Sequence, residues 1–186
     1  NELTPMVATA RLIKQEHPDA SVVFIGPCAS KKLEASRRTV RSDVDFVITF
    51  EELTGMFEAK GILLDEIKAM DEMKDATAAG RGHGVAGGVA NAIKECIEKY
   101  YPGTPVNIQH AESLAECKKA LLLAKAGKMN GCLIEGMACP GGCIAGAGTN
   151  IAIPVAAKAV DKFKNEAEKK VPDESVDQEM VELEKE

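Results

Sequence analysis

The sequence contains no tryptophan, and its aromatic residues are limited to two tyrosines and five phenylalanines. Unpaired nucleic-acid bases stack on such rings, so this chain offers them little surface. Basic charge is also scarce, because the formal net charge is -6 and the isoelectric point is near 5.3. Phosphate backbones are bound by clustered lysine and arginine. These two shortages exclude nucleic acid as the expected partner.

Long apolar runs are missing as well, since no stretch approaches the ~20 residues that a spanning helix needs. Asn1 is not followed by a positively charged region or a small-residue cleavage site, the marks of a secretory signal. We therefore expect a cytoplasmic protein with no membrane partner. Because the chain starts without methionine, we interpret it as part of a longer protein. Its 186 residues suffice for one compact unit or one lobe of a larger domain.

Short apolar runs alternate with amphipathic segments along the chain. They predict strands within 21–26, 44–49, 105–111 and 131–137, and helices within 5–17, 50–61, 85–101, 113–127 and 153–170. This alternation predicts an α/β fold with a mostly parallel sheet flanked by helices. Ligands of such sheets bind beyond the carboxyl ends of the strands. We divide the chain into one domain over 1–171 and an acidic, weakly ordered tail over 172–186.

Two kinds of local signal refine these elements. Thr4 and Pro5 form a predicted N-cap and first-turn pair, and Thr49 with Glu52 matches a capping box. The first two strand segments are continuous, β-branched apolar runs. Such runs are typical of strands that are buried on both faces.

Six cysteines are present, at positions 28, 96, 117, 132, 139 and 143. In a reducing cytosol they are thiols or metal ligands. Cys139 and Cys143 stand four positions apart in EGMACPGGCIAGAG, and their thiolates suit zinc, copper or iron-sulfur clusters. Spacing alone leaves a metal site and a pair of structural thiols equally open. Nearby glycines would supply the close approach and positive φ angles of a tight turn: Gly141, Gly142, Gly146 and Gly148.

Cys28 lies in GPCASKKLEA, just past the end of the first predicted strand. Lys31 and Lys32 could stabilise its thiolate or bind an anion. Taken alone, the stretch favours the simpler interpretation of a buried thiol followed by a solvated helical turn. The three cysteines inside predicted helices or strands are interpreted as core thiols: Cys96, Cys117 and Cys132.

The stretch GHGVAG at 82–87 matches the dinucleotide-binding pattern GxGxxG. That fingerprint requires a strand directly before it, and none is predicted here. The stretch is therefore interpreted as a loop that leads into a helix and lies close to a cofactor. His83 and His110 are expected to be surface or capping residues.

Considered together, the two cysteine turns resemble the second and third signature motifs of the iron-only hydrogenase large subunit. They appear as PCASKKLE at 27–34 and EGMACPGGCIAG at 135–146, matching PCxxKKxE and ExMxCxxGCxxG. The intervening segments DVDFVITFEELTGMFEAKGI and GHGVAGGVANAI are also similar to the family. The resemblance implies one lobe, the carboxyl-terminal one, of a two-lobed α/β catalytic domain.

The resemblance also implies a cofactor, a 4Fe-4S cluster bridged to a di-iron unit and known as the H-cluster. Cys28, Cys139 and Cys143 would be metal ligands, with Cys143 as the bridge. Lys31 would donate a hydrogen bond to a cyanide ligand, and Met137 would pack against the di-iron unit; these two are the implied catalytic residues. Pro27 would line the same pocket. Supporting roles would fall to Glu34 and Glu135.

Some features depart from the family pattern. Its first motif, TSCCPxW, which carries a fourth cluster ligand and a proton-relay cysteine, is absent from this sequence. We therefore expect the missing amino-terminal part of the same chain to be a partner, and the cofactor to be absent or incomplete in this fragment. Gly26 replaces a common methionine, and Ala147 and Thr149 interrupt the family's GGGQ run. These changes are similar to those of divergent relatives thought to sense hydrogen.

The resemblance implies an anaerobic, ferredoxin-dependent hydrogenase that reversibly oxidises hydrogen and reduces protons, with this fragment inactive alone. An alternative is a non-catalytic iron-sulfur protein, either a hydrogen sensor or an electron-transfer module. A third hypothesis is a zinc-stabilised domain that uses the same three cysteines.

Overall fold

The computed structural model describes residues 3–37, 40, 42–68 and 76–172. Tertiary contacts divide these residues into two compact units. The first unit takes the residues up to Lys68 together with Ala147–Asn150, and the second takes 76–146 and the residues from Ile151 onward. The predicted domain over 1–171 stays a prediction. The predicted tail lies outside the described residues from position 173 onward.

The first unit contains a small parallel sheet and three helices. They are α1 (Pro5–Glu16), β1 (Val23–Ile25), α2 (Ser30–Ser36), β2 (Phe46–Ile48) and α3 (Phe50–Ala59), followed by a 3-10 turn at Leu64–Glu66. β1 pairs in parallel with β2, and Val23 lies opposite Phe46. The core forms where the apolar stripe of α1 packs on one face of this sheet. Its buried members are Met6, Val7, Ala10 and Val44, against which Phe24 and Val47 also pack.

The prediction that β1 and β2 are buried on both faces is wrong for this unit. The exposed fractions of Val23, Ile25 and Phe46 are 44%, 45% and 62%. Successive side chains of a strand point to opposite faces, so residues that alternate with Phe24 face away from the core. The sheet is therefore covered on one face within its own unit.

The second unit contains a second parallel pair of strands with four helices. They are α4 (Ala78–Arg81), α5 (Gly88–Tyr100), β3 (Asn107–Glu112), α6 (Leu114–Lys125), β4 (Cys132–Met137) and α7 (Ile153–Asn165), with 3-10 turns at Gly82–Gly84 and Cys143–Ala145. The β3–β4 register runs from Asn107 opposite Cys132 to Glu112 opposite Met137. Parallel pairing, as predicted, is thus present in both sheets, which have two strands each in the described chain.

The ends of the helices follow the local signals in most cases. Thr49 and Glu52 form the predicted capping box, with the Thr49 N–H donating to Glu52 Oε2 over 2.8 Å. Pro5 opens α1 as predicted, but the Thr4 side chain makes no cap hydrogen bond. Its hydroxyl donates instead to the carboxylate of Glu34. A distant carboxylate has therefore replaced the backbone N–H that an N-cap hydroxyl accepts.

In the part of the chain that the structure describes, helix α4, and not a strand, lies directly before the GHGVAG stretch. The stretch itself begins with the 3-10 turn Gly82–Gly84, and α5 begins directly after it at Gly88. The interpretation as a loop before a helix is confirmed. None of the described helices combines the length and the apolar content that a membrane crossing requires.

Candidate metal centre

The Cys139–Cys143 turn starts two residues after β4 ends, at the carboxyl edge of the β3–β4 sheet. The Gly142 N–H donates to the Cys139 carbonyl over 3.0 Å, and Gly141 and Gly142 have φ angles of 96° and 93°. Residues other than glycine rarely adopt such φ angles, because their Cβ atom clashes with the backbone. Cys139 is half-buried and Cys143 is exposed at the start of a 3-10 turn. Two thiols therefore occupy one tight turn that reaches solvent.

Close packing explains why Gly142 carries no side chain. A Cβ at this position would lie 2.4 Å from the Ala86 nitrogen and 2.7 Å from the Val85 carbonyl carbon. The Ala86 N–H also donates to the Gly141 carbonyl over 3.1 Å. The loop before α5 therefore lies directly on the cysteine turn. The expected positive φ is confirmed at Gly141 and Gly142. It is wrong at Gly146, where φ is -62°, and at Gly148, whose φ is not positive either.

A carboxylate that the sequence did not single out holds the same turn from the end of β3. Glu112 Oε2 accepts a hydrogen bond from the Gly141 N–H over 2.8 Å. The next residue, Ser113, donates its N–H to the carbonyl of Met137 over 2.8 Å. The end of β3 is thus tied to both the end of β4 and the turn.

Glu135 is a buried charged residue of this unit, with an exposed fraction of 8%. Its carboxylate accepts the N–H groups of Gly87, Val89 and Ala90 over 2.5, 3.1 and 3.0 Å. It also contacts His110 Nδ1 at 3.1 Å, across the β3–β4 register. A carboxylate at a helix amino terminus satisfies N–H groups that have no partner within the helix.

The protonation of Glu135 reflects a balance of two opposing effects. Burial raises the pKa of the Glu135 carboxyl, but hydrogen bonds, led by those from the Ala90 N–H and from His110, outweigh burial. The pKa consequently lies below its ordinary value, and the carboxylate is ionised at neutral pH. Glu135 therefore fixes the start of α5, and through it the loop that lies on the cysteine turn.

In the first unit, Cys28 is half-buried and follows the carboxyl end of β1. Lys31 pairs with Glu34 through a contact of 2.6 Å between Nζ and Oε2. Burial raises the pKa of Glu34, but its hydrogen bonds from Lys31 and Thr4 lower it more, so the net shift is downward. An ionised partner keeps the Lys31 ammonium in place beside the Cys28 turn.

Lys32 has a different role from its neighbour. Its Nζ lies 2.8 Å from Glu52 Oε2 and 3.1 Å from the Val47 carbonyl oxygen. It therefore ties α2 to β2 and to the capping box of α3. The solvated-turn interpretation omitted this tertiary role of Lys32.

The residues that follow the third motif bind at the carboxyl edge of the β1–β2 sheet. The Gly148 N–H donates to the Pro27 carbonyl over 3.0 Å, and the Gly148 carbonyl accepts the Glu51 N–H over 3.2 Å. A Cβ on Gly148 would lie 2.4 Å from Thr49 Cβ, so only glycine fits. Pro27, directly before Cys28, is thus held by the segment directly after the third motif.

No disulfide joins any of the six cysteines, all of which are described. Cys96, Cys117 and Cys132 lie in α5, α6 and β4, as predicted, and each is half-buried. Across the described ranges, no group of three or more histidine, cysteine, aspartate or glutamate side chains is arranged to hold a metal ion. The metal-ligand roles of Cys28, Cys139 and Cys143 stay predictions. The cofactor-binding roles of Pro27, Lys31 and Met137 stay predictions as well.

Comparisons with known proteins point to one family. The model described as "Iron only hydrogenase large subunit, C-terminal domain" matches residues 1–147. The cytosolic Fe-S cluster assembly factor NAR1 of Kluyveromyces lactis is 43% identical over 53 residues, which cover 28% of this chain and 11% of that protein.

Solved structures of hydrogenases share the fold. An FeFe-hydrogenase studied for oxygen inactivation through its H cluster matches with a TM-score of 0.56 and 19% identity, covering 89% of this chain and 60% of that one. A variant of the FeFe-hydrogenase HydA1 from Chlamydomonas reinhardtii matches with a TM-score of 0.55 and 19% identity over the same shares. This chain spans less than two thirds of each. The predicted α/β fold class is confirmed.

Proposed function

The chain belongs to the family of the iron only hydrogenase large subunit, C-terminal domain, and we propose that it supplies cysteine ligands to an iron-sulfur and di-iron centre. The whole protein uses that centre for reversible oxidation of hydrogen and reduction of protons, with a ferredoxin-type electron donor. We place it in the cytoplasm, which agrees with the word cytosolic in the name of the NAR1 relative.

The Cys139–Cys143 turn is the observation that carries this proposal. Thiolates are the ligands that iron-sulfur clusters use, and this turn offers two of them on a backbone held by Glu112 and Ala86. Cys28 offers a third thiol at the end of β1. The three cysteines are the type of ligand that such a cluster requires. Four cysteines usually hold a cluster, so these three leave one ligand position to be filled. The remaining ligand comes from another part of the protein.

The other side chains of the proposed site have defined tasks. The Lys31 ammonium, oriented by its contact with Glu34, binds an anionic ligand of the centre. Met137 supplies a soft, polarisable surface, and Pro27 shapes the turn beside Cys28. When bound, the centre supplies the redox chemistry that joins two protons and two electrons into hydrogen.

Anaerobic reconstitution of the 186-residue chain with iron and sulfide tests the ligand assignment. We expect iron binding below four per chain, and a clear loss of that iron in Cys28→Ser, Cys139→Ser and Cys143→Ser. Cys132→Ser is the matched control, because Cys132 lies within β4 and is not a proposed ligand. A stable, stoichiometric four-iron cluster would contradict the ligand shortage. Zinc without iron in protein made under iron-replete, anaerobic conditions would instead support a zinc-stabilised domain.

A second candidate function is a non-catalytic iron-sulfur protein. The 43% identity to a protein named as an Fe-S cluster assembly factor favours it. The same candidate is favoured by the departures from the family pattern at Gly26, Ala147 and Thr149. Hydrogen evolution from a reduced viologen dye, measured on the whole protein with its di-iron unit inserted, separates the two. Turnover refutes the non-catalytic candidate, and an intact cluster without turnover refutes the enzyme.

A further inference from the structure

We infer that Glu112 is a positioning residue for the Cys139–Cys143 turn. Its carboxylate fixes the backbone between the two thiols and so presents them in a spacing ready to bind metal. This inference rests on the proposed ligand role of that turn. It adds a residue that lies outside both cysteine motifs, 27 positions before Cys139. Glu112 belongs to β3, whereas Cys139 follows β4.

The backbone of Gly141 is held on both sides. Its N–H donates to Glu112 Oε2 over 2.8 Å, and its carbonyl accepts the Ala86 N–H over 3.1 Å. These two hydrogen bonds fix the peptide planes on either side of the Gly141 Cα. Gly141 lies midway between the two cysteines, so fixing these planes restricts how far apart the thiols can move.

Glu112 is itself firmly placed. It ends β3 opposite Met137, and its own N–H donates to Glu116 Oε2 over 2.8 Å. The following residue, Ser113, has φ 129° and ψ 158°, a region that is used almost only by glycine. Such a conformation persists only where surrounding contacts over-determine it. Here those contacts are the Ser113 N–H to the Met137 carbonyl and the Ser113 hydroxyl accepting the Glu116 N–H.

Two adjacent glycines make the turn dependent on this outside contact. Glycine populates left- and right-handed backbone conformations with similar ease, so the turn has many conformations to lose. If Glu112 has already ordered the turn, metal binding does not bear that entropic cost. Removing the acceptor transfers the ordering cost to the binding step, and metal affinity falls.

Three variants separate the effect of the hydrogen bond from the effects of the charge and of the side-chain length. Glu112→Gln keeps an acceptor oxygen at the same distance but removes the charge. Glu112→Asp keeps the charge but is one methylene too short to reach the Gly141 N–H. Glu112→Ala removes both. Glu98→Ala, at an exposed position on α5, is the control.

The probe is Co²⁺, titrated anaerobically into the 186-residue chain, with thiolate-to-cobalt charge-transfer absorption as the signal. We expect Glu112→Ala and Glu112→Asp to weaken Co²⁺ binding about tenfold, equivalent to about 1.4 kcal/mol. Glu112→Gln should stay within about threefold of the wild type, because a neutral acceptor retains most of a hydrogen bond. Hydrogen exchange of the Gly141 amide, measured without metal, should be faster in Glu112→Ala and Glu112→Asp than in the wild type. It should change little in Glu112→Gln.

The two readouts distinguish failure of this inference from failure of the proposed function. A cobalt signal that Cys139→Ser does not diminish refutes the metal site itself. A signal that depends on Cys139 but is unchanged in Glu112→Ala refutes only the role of Glu112. Glu112→Gln binding as weakly as Glu112→Ala also overturns it, since charge rather than the hydrogen bond would then matter. Should Glu112→Ala fail to fold, the comparison of glutamine with aspartate decides the question.

Discussion

Replacing Glu135 with glutamine tests how strongly one buried carboxylate holds the second unit together. The wild-type carboxylate accepts three backbone N–H groups at the start of α5 and contacts His110. Glutamine keeps the size of the side chain and one acceptor oxygen, but its NH₂ group must face an N–H donor. The perturbation therefore removes charge and one acceptor without creating a cavity.

The expected loss follows from these contacts. Hydrogen bonds to a charged group contribute about 1 kcal/mol more than neutral ones, and two of them are weakened or lost. A carboxylate at a helix amino terminus adds roughly 1 kcal/mol through the helix dipole. We expect Glu135→Gln to lower the free energy of unfolding by about 3 kcal/mol at pH 7. For a chain of this length the unfolding midpoint then falls by roughly 6–12 °C.

Urea unfolding followed by tyrosine emission measures the effect in the right place, because both tyrosines, Tyr100 and Tyr101, lie at the end of α5. Glu98→Gln, on an exposed site of the same helix, is the control and should stay within about 0.5 kcal/mol of the wild type. A Glu135→Gln chain within about 1 kcal/mol of the wild type at pH 7 would refute the reasoning.

The pH dependence gives a second check. Because the pKa of Glu135 in the folded chain lies below its ordinary value of 4.5, its stabilisation is fully present above that value. It is lost as the pH falls through the lower pKa of the folded state. Glutamine does not titrate, so the difference between wild type and Glu135→Gln should shrink in acid. An equal difference at pH 7 and in strong acid would contradict the assignment of the effect to the ionised carboxylate.

Three further substitutions test the turns and the caps. Gly142→Ala should cost about 2–3 kcal/mol in urea unfolding, because it combines a positive φ with a Cβ 2.4 Å from the Ala86 nitrogen. Gly55→Ala, within α3 and with open space around it, should instead stabilise the first unit by about 0.5–1 kcal/mol in thermal unfolding followed by circular dichroism. Thr49→Ala should lose about 1 kcal/mol in the same measurement, because it removes the capping box, and no loss would show that Glu52 alone caps the helix.

Elements bounded by local signals could be predicted from the sequence with little error. The helix expected over 113–127 is observed as Leu114–Lys125. Ser113 accepts the Glu116 N–H at its start, and Gly127 takes a φ of 73° just after its end. Caps and terminal glycines act on neighbouring residues, so their effect can be predicted from a few positions. Helix α1 shows the limit, because Thr4 bonds to Glu34 instead of capping.

The burial of β1 and β2 could not be predicted in this way. An apolar run gives the composition of both faces of a strand, but burial depends on what packs over each face. Phe24 and Val47 face the helix α1, whereas Val23 and Phe46 on the opposite face stay exposed. The covering element is set by long-range topology, which the run itself does not encode.

In the candidate site too, features set by neighbouring residues are predictable from the sequence, and features set by distant contacts are not. The positive φ of Gly141 and Gly142 is predictable from the sequence, because a tight turn requires it locally. The role of Glu112 is not evident from its neighbours, because its partner is a backbone N–H 29 positions away. Glu135 carried a usable signal, since a carboxylate inside the apolar strand CLIEGM is costly to bury unless it has partners. Its partner His110 becomes evident only once β3 and β4 are aligned. The same register places Glu112 opposite Met137, which lies two residues before Cys139. The alignment of β3 with β4 is therefore sufficient to place Glu112 beside the turn.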